Sequence, residues 1–237
     1  PAWHSCKSKT IMDNTRQRDN INWHTETLPQ ETLQALELLS KELWLKKSDW
    51  YLAGGTALTL YAGHRQSLDL DFFTVLGTFV VGALLDHFDK KKWITTHAEE
   101  GTVYGTLLGA KVSFIAYPFF LHKEKPQWYG AIRVLSPADI AVMKIIAISQ
   151  RGRKRDFVDL FWYTKHREPL LAVIQKLKRQ YPTVAHNYHH ILERMMYFAD
   201  AEDDPMPHLF FTATWKEIKA YFESEVPRIA KELLRLE

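Results

Sequence analysis

The sequence predicts an α+β protein: a mixed β-sheet core with flanking helices, followed by a C-terminal helical bundle. Two patterns carry that reading. Short β-branched and aromatic runs, broken by glycines, crowd the region before residue 136, and well-signalled helices dominate after it. A third observation sets the scale, since 237 residues with 46% hydrophobic and 13% aromatic content suffice for one large core or two small ones. The expected organisation is a disordered or expression-derived leader over 1–23, an α/β core over 24–135 and a helical region over 136–237. The leader is polar and aperiodic, with Met12 a candidate native start.

Leucines at Leu33, Leu36, Leu39 and Leu43, after Pro29, predict one helix from Gln30 to Lys47. "WYLAG" reads as a short buried strand stopped by Gly54 and Gly55, and "TALTLYAG" as a helix closed by Gly63. "SLDLDFFTV" alternates Leu68, Leu70 and Phe72 against Asp69 and Asp71, the period of a strand with one buried face. A helix near Phe79 to Phe88 precedes three β-like runs, "WITTHAE", "TVYGTLLG" and "AKVSFIAYPFF". Ser136 is a candidate N-cap, with Pro137 and Asp139 in the first turn of the next helix. Further helices are expected at Arg153 to Lys165, Pro169 to Gln180, Asn187 to Tyr197 and Trp215 to Leu236, with "DAEDD" a helix-ending loop.

A net charge of +3, from 31 basic and 28 acidic residues, is too slight to announce a nucleic-acid or membrane partner by itself. The single cysteine, Cys6, cannot form an internal disulfide, and no long apolar run or export leader is visible. The expectation is a cytoplasmic protein with no membrane partner.

Asp69 and Asp71 stand at i and i+2 of a strand and so share a face. Alternating acids are ordinary on a solvent-facing strand, but two hard carboxylates also suit a divalent cation such as Mg²⁺ or Mn²⁺, which binds one or two carboxylates plus substrate phosphates. Gly54 and Gly55 serve either a tight turn or a phosphate cradle at a helix N-terminus, to which Thr56 adds a hydroxyl. Together the two features supply both halves of a metal–nucleotide site. Farther on, Lys144 and Arg151 share a helix face, Gly152 interrupts the helix, and Arg155 to Asp159 is an (i, i+4) ion pair. Without more, that is a solvated basic stripe with Asp156 and Asp159 pairing locally.

The stretch "GGTALTLYAGHRQSLDLDFF" resembles the nucleotidyltransferase fold and, within it, the AbiEii/AbiGii-type toxin family. "KIIAISQRGRKRDFVDLFWY" is similar to that family's helical motif at Lys144, Arg151, Arg155, Asp156 and Asp159. "YFADAEDDPMPHLFF" and "WKEIKAYFESEV" resemble the C-terminal region of one branch. The resemblance implies a nucleotidyltransferase-like core in which Asp69 and Asp71 bind the metal. It places Gly54, Gly55, Thr56, Arg65 and Ser67 by the triphosphate of an NTP, and Lys144, Arg151 and Asp159 in the nucleotide site. Asp159 would equally serve to orient the lysine or an arginine. The implied reaction moves an NMP from an NTP to an acceptor hydroxyl, with RNA, such as a tRNA 3′ end, as acceptor and a cognate antitoxin as partner.

One position departs from the pattern. Nucleotidyltransferases commonly carry a third acid on a following strand, and the matching position in "GAKVSFIAY" is Ser113, which cannot act as a base at neutral pH. The base is then absent, supplied by Asp156, or replaced by metal-assisted deprotonation. Two other readings stand beside the first: a nucleotide-binding module without transfer, and a transferase for a small, aminoglycoside-like acceptor. His186 and His190 have metal-binding spacing but lack companion ligands. "DAEDD" lacks the glycine and distal glutamate of a calcium loop. Basic residues at Lys90 to Lys92, Arg151 to Arg155, Lys176, Lys178 and Arg179, interleaved with Trp162, Tyr163 and Tyr181, are either solvated lysines and arginines or a surface for RNA backbone and bases.

Overall fold

The computed structural model describes residues 21–233. Cys6, Met12 and most of the expected leader lie outside them, as does Leu236. Trp23 packs on Tyr61, with ring centroids 4.8 Å apart.

Helices α1 (Gln30–Leu39) and α2 (Leu43–Lys47) stand where one helix was expected. The break coincides with a long-range contact: the Ser40 carbonyl accepts from the Ala131 amide at 2.7 Å instead of continuing the helix ladder. Strand β1 (Tyr51–Ala53) runs into α3 (Gly54–Ala62), which Gly63 ends. Then follow β2 (Leu70–Thr74), α4 (Val81–Leu85), β3 (Trp93–Glu99), β4 (Thr102–Leu107) and β5 (Ala110–Ala116). Two strands that sequence reasoning did not predict, β6 (Gln127–Tyr129) and β7 (Ile132–Val134), complete the sheet. At three residues each they are too short to show a period.

The seven strands form one mixed sheet in the order β3-β4-β5-β2-β1-β7-β6. Strand β2 sits at its centre, antiparallel to β1 and parallel to β5. The registers pair Ala53 with Asp71 and Asp71 with Ser113, which sets the glycine turn, the acidic strand and the serine side by side. Leu70 and Phe72 are buried as the alternation requires, whereas Leu68 precedes the strand and is 57% exposed.

The helical region begins with α5 (Pro137–Gln150) and α6 (Lys154–His166). Then come α7 (Leu170–Gln175), α8 (Leu177–Gln180), α9 (Tyr188–Met195), α10 (Ala199–Glu202) and α11 (Trp215–Leu233). The helix expected over Pro169 to Gln180 is thus two, and the "DAEDD" loop begins inside a helical turn. Ser136 caps α5 as predicted, accepting from the Asp139 amide at 3.1 Å. Asp139 itself is fully buried and accepts from the amides of Lys123 and Glu124 and from Gln180 Nε2, fixing the start of α5 against the preceding loop and the end of α8. Helix α5 packs on α3, α6, α7 and α9 and so joins the sheet layer to the remaining helices. No helix among the described residues is long and apolar enough to cross a membrane.

Phe114 of β5 is an aromatic hub under the sheet. Its ring stacks on Phe72 at 5.0 Å and meets Trp50, Phe88, Trp93 and Trp44 within 6.3 Å. Phe114→Ala is expected to cost about 3–5 kcal/mol by leaving a cavity at that junction, read as a lower midpoint in urea unfolding.

Candidate active site between the sheet and the helices

A cleft of about 520 Å³ opens between the face formed by β2, β4 and β5 and helices α5 and α6. Gly54, Gly55, Arg65, Ser67, Asp69, Asp71, Ser113, Lys144, Arg151 and Arg155 all border it. Ten of the thirteen residues expected at the site or in its motifs therefore come together here, and Thr56, Asp156 and Asp159 do not border it.

The glycine pair answers two separate constraints. Gly54 has φ +71°, and a side chain there would bring a Cβ to 2.9 Å of Asp71 Oδ2. At Gly55 a Cβ would lie 2.1 Å from Arg65 Nη2, so the guanidinium fills the space that a side chain would need. No side chain caps the start of α3, and its first two residues, Gly54 and Gly55, border the cleft together with the two carboxylates. Thr56 does not reach the cleft. It is buried, its hydroxyl donating to the Asp69 carbonyl and lying 2.9 Å from Ser67 Oγ, so it braces the loop that carries Asp69.

The two aspartates differ in surroundings. Asp71 is half-buried, and among the described residues its carboxylate accepts one hydrogen bond, from Ser113 Oγ at 2.7 Å. Burial, with the Asp69 charge adding to it, pushes the Asp71 carboxyl above the usual range despite Ser113, Arg155 and Lys144. Asp69, at the rim, accepts from Arg155 Nη1 at 3.0 Å. The (i, i+4) pair expected between Arg155 and Asp159 therefore does not form.

Asp159 is committed elsewhere. It has no exposed side-chain surface and takes four donors: Arg65 Nε at 2.6 Å and His64 Nε2 at 2.8 Å on one oxygen, Arg65 Nη2 at 2.9 Å and Lys144 Nζ at 2.7 Å on the other. Lys144 also donates to Asp156 at 2.6 Å, and Arg151 Nε reaches the second Asp156 oxygen at 3.2 Å. Burial alone would raise both carboxyls, but the Arg65 and Lys144 charges hold Asp159 well below its ordinary range, and Lys144 and Arg151 lower Asp156. His64, neutralised by burial, completes the group.

This geometry corrects three expectations. Asp156 is fully buried and ion-paired, so it has no free face with which to take a proton from an acceptor hydroxyl. Asp159 has no surface with which to touch a nucleotide and takes the orienting role instead. Arg65, 3% exposed, spends its guanidinium on Asp159 and the Gln66 carbonyl. Lys144 keeps one ammonium proton beyond its two carboxylates and borders the cleft. Trp162, Tyr163 and Tyr181 are buried and cannot stack a base. His190 is exposed, whereas His186 is half-buried with its Nε2 3.1 Å from the Tyr181 carbonyl.

Sequence reasoning missed what fastens Arg65. The Gln66 amide donates to His208 O and the Phe210 amide to His64 O, an antiparallel bridge between 64–66 and 208–210. Its residues lie inside quoted motifs, but a backbone pairing leaves no side-chain signature.

Comparison with known proteins agrees with this architecture. The sequence profile described as nucleotidyl transferase AbiEii toxin, type IV toxin–antitoxin system, matches residues 38–101 and 100–234. An uncharacterised protein of Aquifex aeolicus (strain VF5) is 34% identical over 186 residues, covering 76% of this chain and 87% of that one. A Helicobacter pylori crystal structure described as a nucleotidyltransferase shares the fold with a TM-score of 0.51 at 18% identity, covering 88% of this chain and 99% of its own. JHP933 of the same organism matches equally, at 0.51 and 18%, covering 88% and 96%.

Asp159→Asn leaves Arg65 and Lys144 short of a buried counter-charge and is expected to cost about 3–5 kcal/mol. A depressed carboxyl stabilises the fold above its unfolded pKa and loses that contribution as pH falls toward the folded value. The gap in thermal midpoint between wild type and Asp159→Asn should therefore be constant above about pH 5 and close progressively below about pH 4.

Proposed function

The chain belongs to the nucleotidyl transferase AbiEii toxin family, and from that premise we propose that it is an Mg²⁺-dependent enzyme that moves an NMP from an NTP onto a hydroxyl of RNA. Membership makes it a nucleotidyltransferase of a toxin–antitoxin class and implies an antitoxin partner. The observation that supports the finer reading is the juxtaposition of Asp69 and Asp71 with the uncapped N-terminus of α3 in one cleft.

The donors fit a hard divalent cation: two neighbouring half-buried carboxylates, of which Asp71 is short of hydrogen bonds and raised in pKa by burial and by the Asp69 charge. Bound there by Asp69 and Asp71, the cation supplies charge neutralisation at the triphosphate and lowers the pKa of the acceptor hydroxyl. The chain's own residues do the rest. The first amides of α3 and the spare proton of Lys144 hold phosphate oxygens, and Ser67 closes the same wall. Arg65 acts beneath them as a brace. The acceptor oxygen bonds to the α-phosphorus, the α–β bridging bond breaks, and pyrophosphate leaves with the electron pair. Among the described residues Asp69 and Asp71 are the carboxylates that border the cleft, so in this reading the hydroxyl proton passes to water rather than to a third acid. Exposed Lys111 and Arg151, with Tyr104 between cleft and solvent, give the rim the charge and the aromatic face that single-stranded RNA uses. A tRNA 3′ end is the acceptor to try first.

Ser113 beside Asp71 favours a second reading, a pocket that binds nucleotide without transferring it. Label transfer separates the two. With α-labelled NTPs, Mg²⁺ and total bacterial RNA, wild type should label an RNA band. Asp69→Ala and Asp71→Ala should lower the rate at least about a hundredfold, the equivalent of a few kcal/mol of charge stabilisation. Label that appears only with Ser113→Asp would support the binding-module reading, and label on a small molecule with none on RNA would reject RNA as acceptor.

A further inference from the structure

Among the described residues two cations border the cleft outside the buried cluster, Lys111 and Arg155, and of these Arg155 is the one paired with an aspartate of the site. It stands in the first turn of α6, its side chain 48% exposed, and reaches across to Asp69 Oδ2 at 3.0 Å. Its own helix offers it nothing else. Asp156 is filled by Lys144 and Arg151, and Asp159 by Arg65, Lys144 and His64. Asp204, across the neighbouring loop, is filled by Arg153 and the Lys154 amide. Among the carboxylates described around α6, Asp69 alone receives Arg155.

Asp69 is also one of the two carboxylates assigned to the metal. An inner-sphere Mg²⁺ sits about 2.1 Å from a ligand oxygen. A guanidinium already donating to that carboxylate would lie within a few ångström of the ion, and two cations so close repel strongly. We propose that Arg155 is an exchangeable counter-ion. It neutralises Asp69 until a divalent cation takes the carboxylate, and it then turns to the triphosphate that arrives with that cation. The exchange is feasible because the Arg155–Asp69 pair is partly exposed and held by one hydrogen bond, so it is weak and easily replaced. It has a defined end point because the carboxylates around α6 are occupied and the cation would take Asp71 along with Asp69, leaving phosphate oxygens, which an arginine fork matches, as the acceptors within the cleft. Arg155 thus couples metal entry to nucleotide grip.

This inference rests on the metal reading of Asp69 and Asp71, and the test separates the two. Mn²⁺ binding is titrated by electron paramagnetic resonance, first without nucleotide and then with a non-hydrolysable ATP analogue present, on wild type, Arg155→Ala, Arg155→Gln and Asp69→Ala. Circular dichroism confirms that each is folded. Both Arg155 variants are expected to bind Mn²⁺ alone about fivefold more tightly than wild type, the size of a removed exposed ion pair. They are expected to bind the Mn²⁺–nucleotide complex about tenfold more weakly, through loss of a charged phosphate contact. If Asp69→Ala abolishes Mn²⁺ binding but the Arg155 variants match wild type, the exchange is wrong and the metal site stands. If the variants bind both metal and complex more tightly, Arg155 only blocks the site and its phosphate role is wrong. Mn²⁺ binding that is absent in wild type, or unchanged in Asp69→Ala, overturns the metal reading and this inference with it.

Discussion

Everything around the cleft hangs on the Asp159 carboxylate. Four donors from two separate regions converge on its two oxygens, His64 and Arg65 from the loop after α3, and Lys144 from α5. A buried charge is tolerated only where it is fully paired, so the satisfied cluster allows one arrangement of loop and helices and penalises the others. The position of Arg65 then dictates Gly55, because the guanidinium occupies the volume a side chain would fill. Gly55 in turn lies in the first turn of α3, which follows Gly54 beside Asp71 of the acidic strand. A single carboxylate, itself buried away from the cleft, thereby fixes the distance between the start of α3 and the acidic strand.

Much of this was legible in the sequence because the responsible signals are local. The alternation in "SLDLDFFTV" located the central strand, and Ser136-Pro137 located α5, since caps and periods are written in adjacent residues. The glycine turn and paired aspartates announced themselves by chemistry as well as spacing. The failures share one cause, which is that the deciding partner lies far along the chain. Arg155 and Asp159 have ideal helical spacing, yet Asp159 satisfies residues nearly a hundred positions earlier, and Arg155 crosses to Asp69. Helical spacing reports proximity, and in a buried cluster desolvation decides the pairing instead. Likewise Thr56 looked like a phosphate ligand until its hydroxyl was seen turned toward Asp69's carbonyl.

The missing third acid acquires a structural meaning in this setting. Ser113 occupies the strand position facing Asp71 and donates a hydrogen bond to it, which partly compensates the carboxylate for its burial. A carboxylate in that place would set a third negative charge beside two that already repel. The serine therefore trades a proton acceptor for a less repulsive pair of neighbouring aspartates.

The bridge between 64–66 and 208–210 ties the timing of assembly to the length of the chain. Gln66 and His64 find their backbone partners only in a segment encoded some 140 residues later. While the protein is being synthesised, N-terminal parts fold as they emerge, and the sheet can form first. The loop bearing Arg65 stays without its clamp until residues 208–210 have left the ribosome and docked. A chain that stops short of residues 208–210 thus carries the acidic strand without the braced cleft, and the site is completed only once that segment has docked.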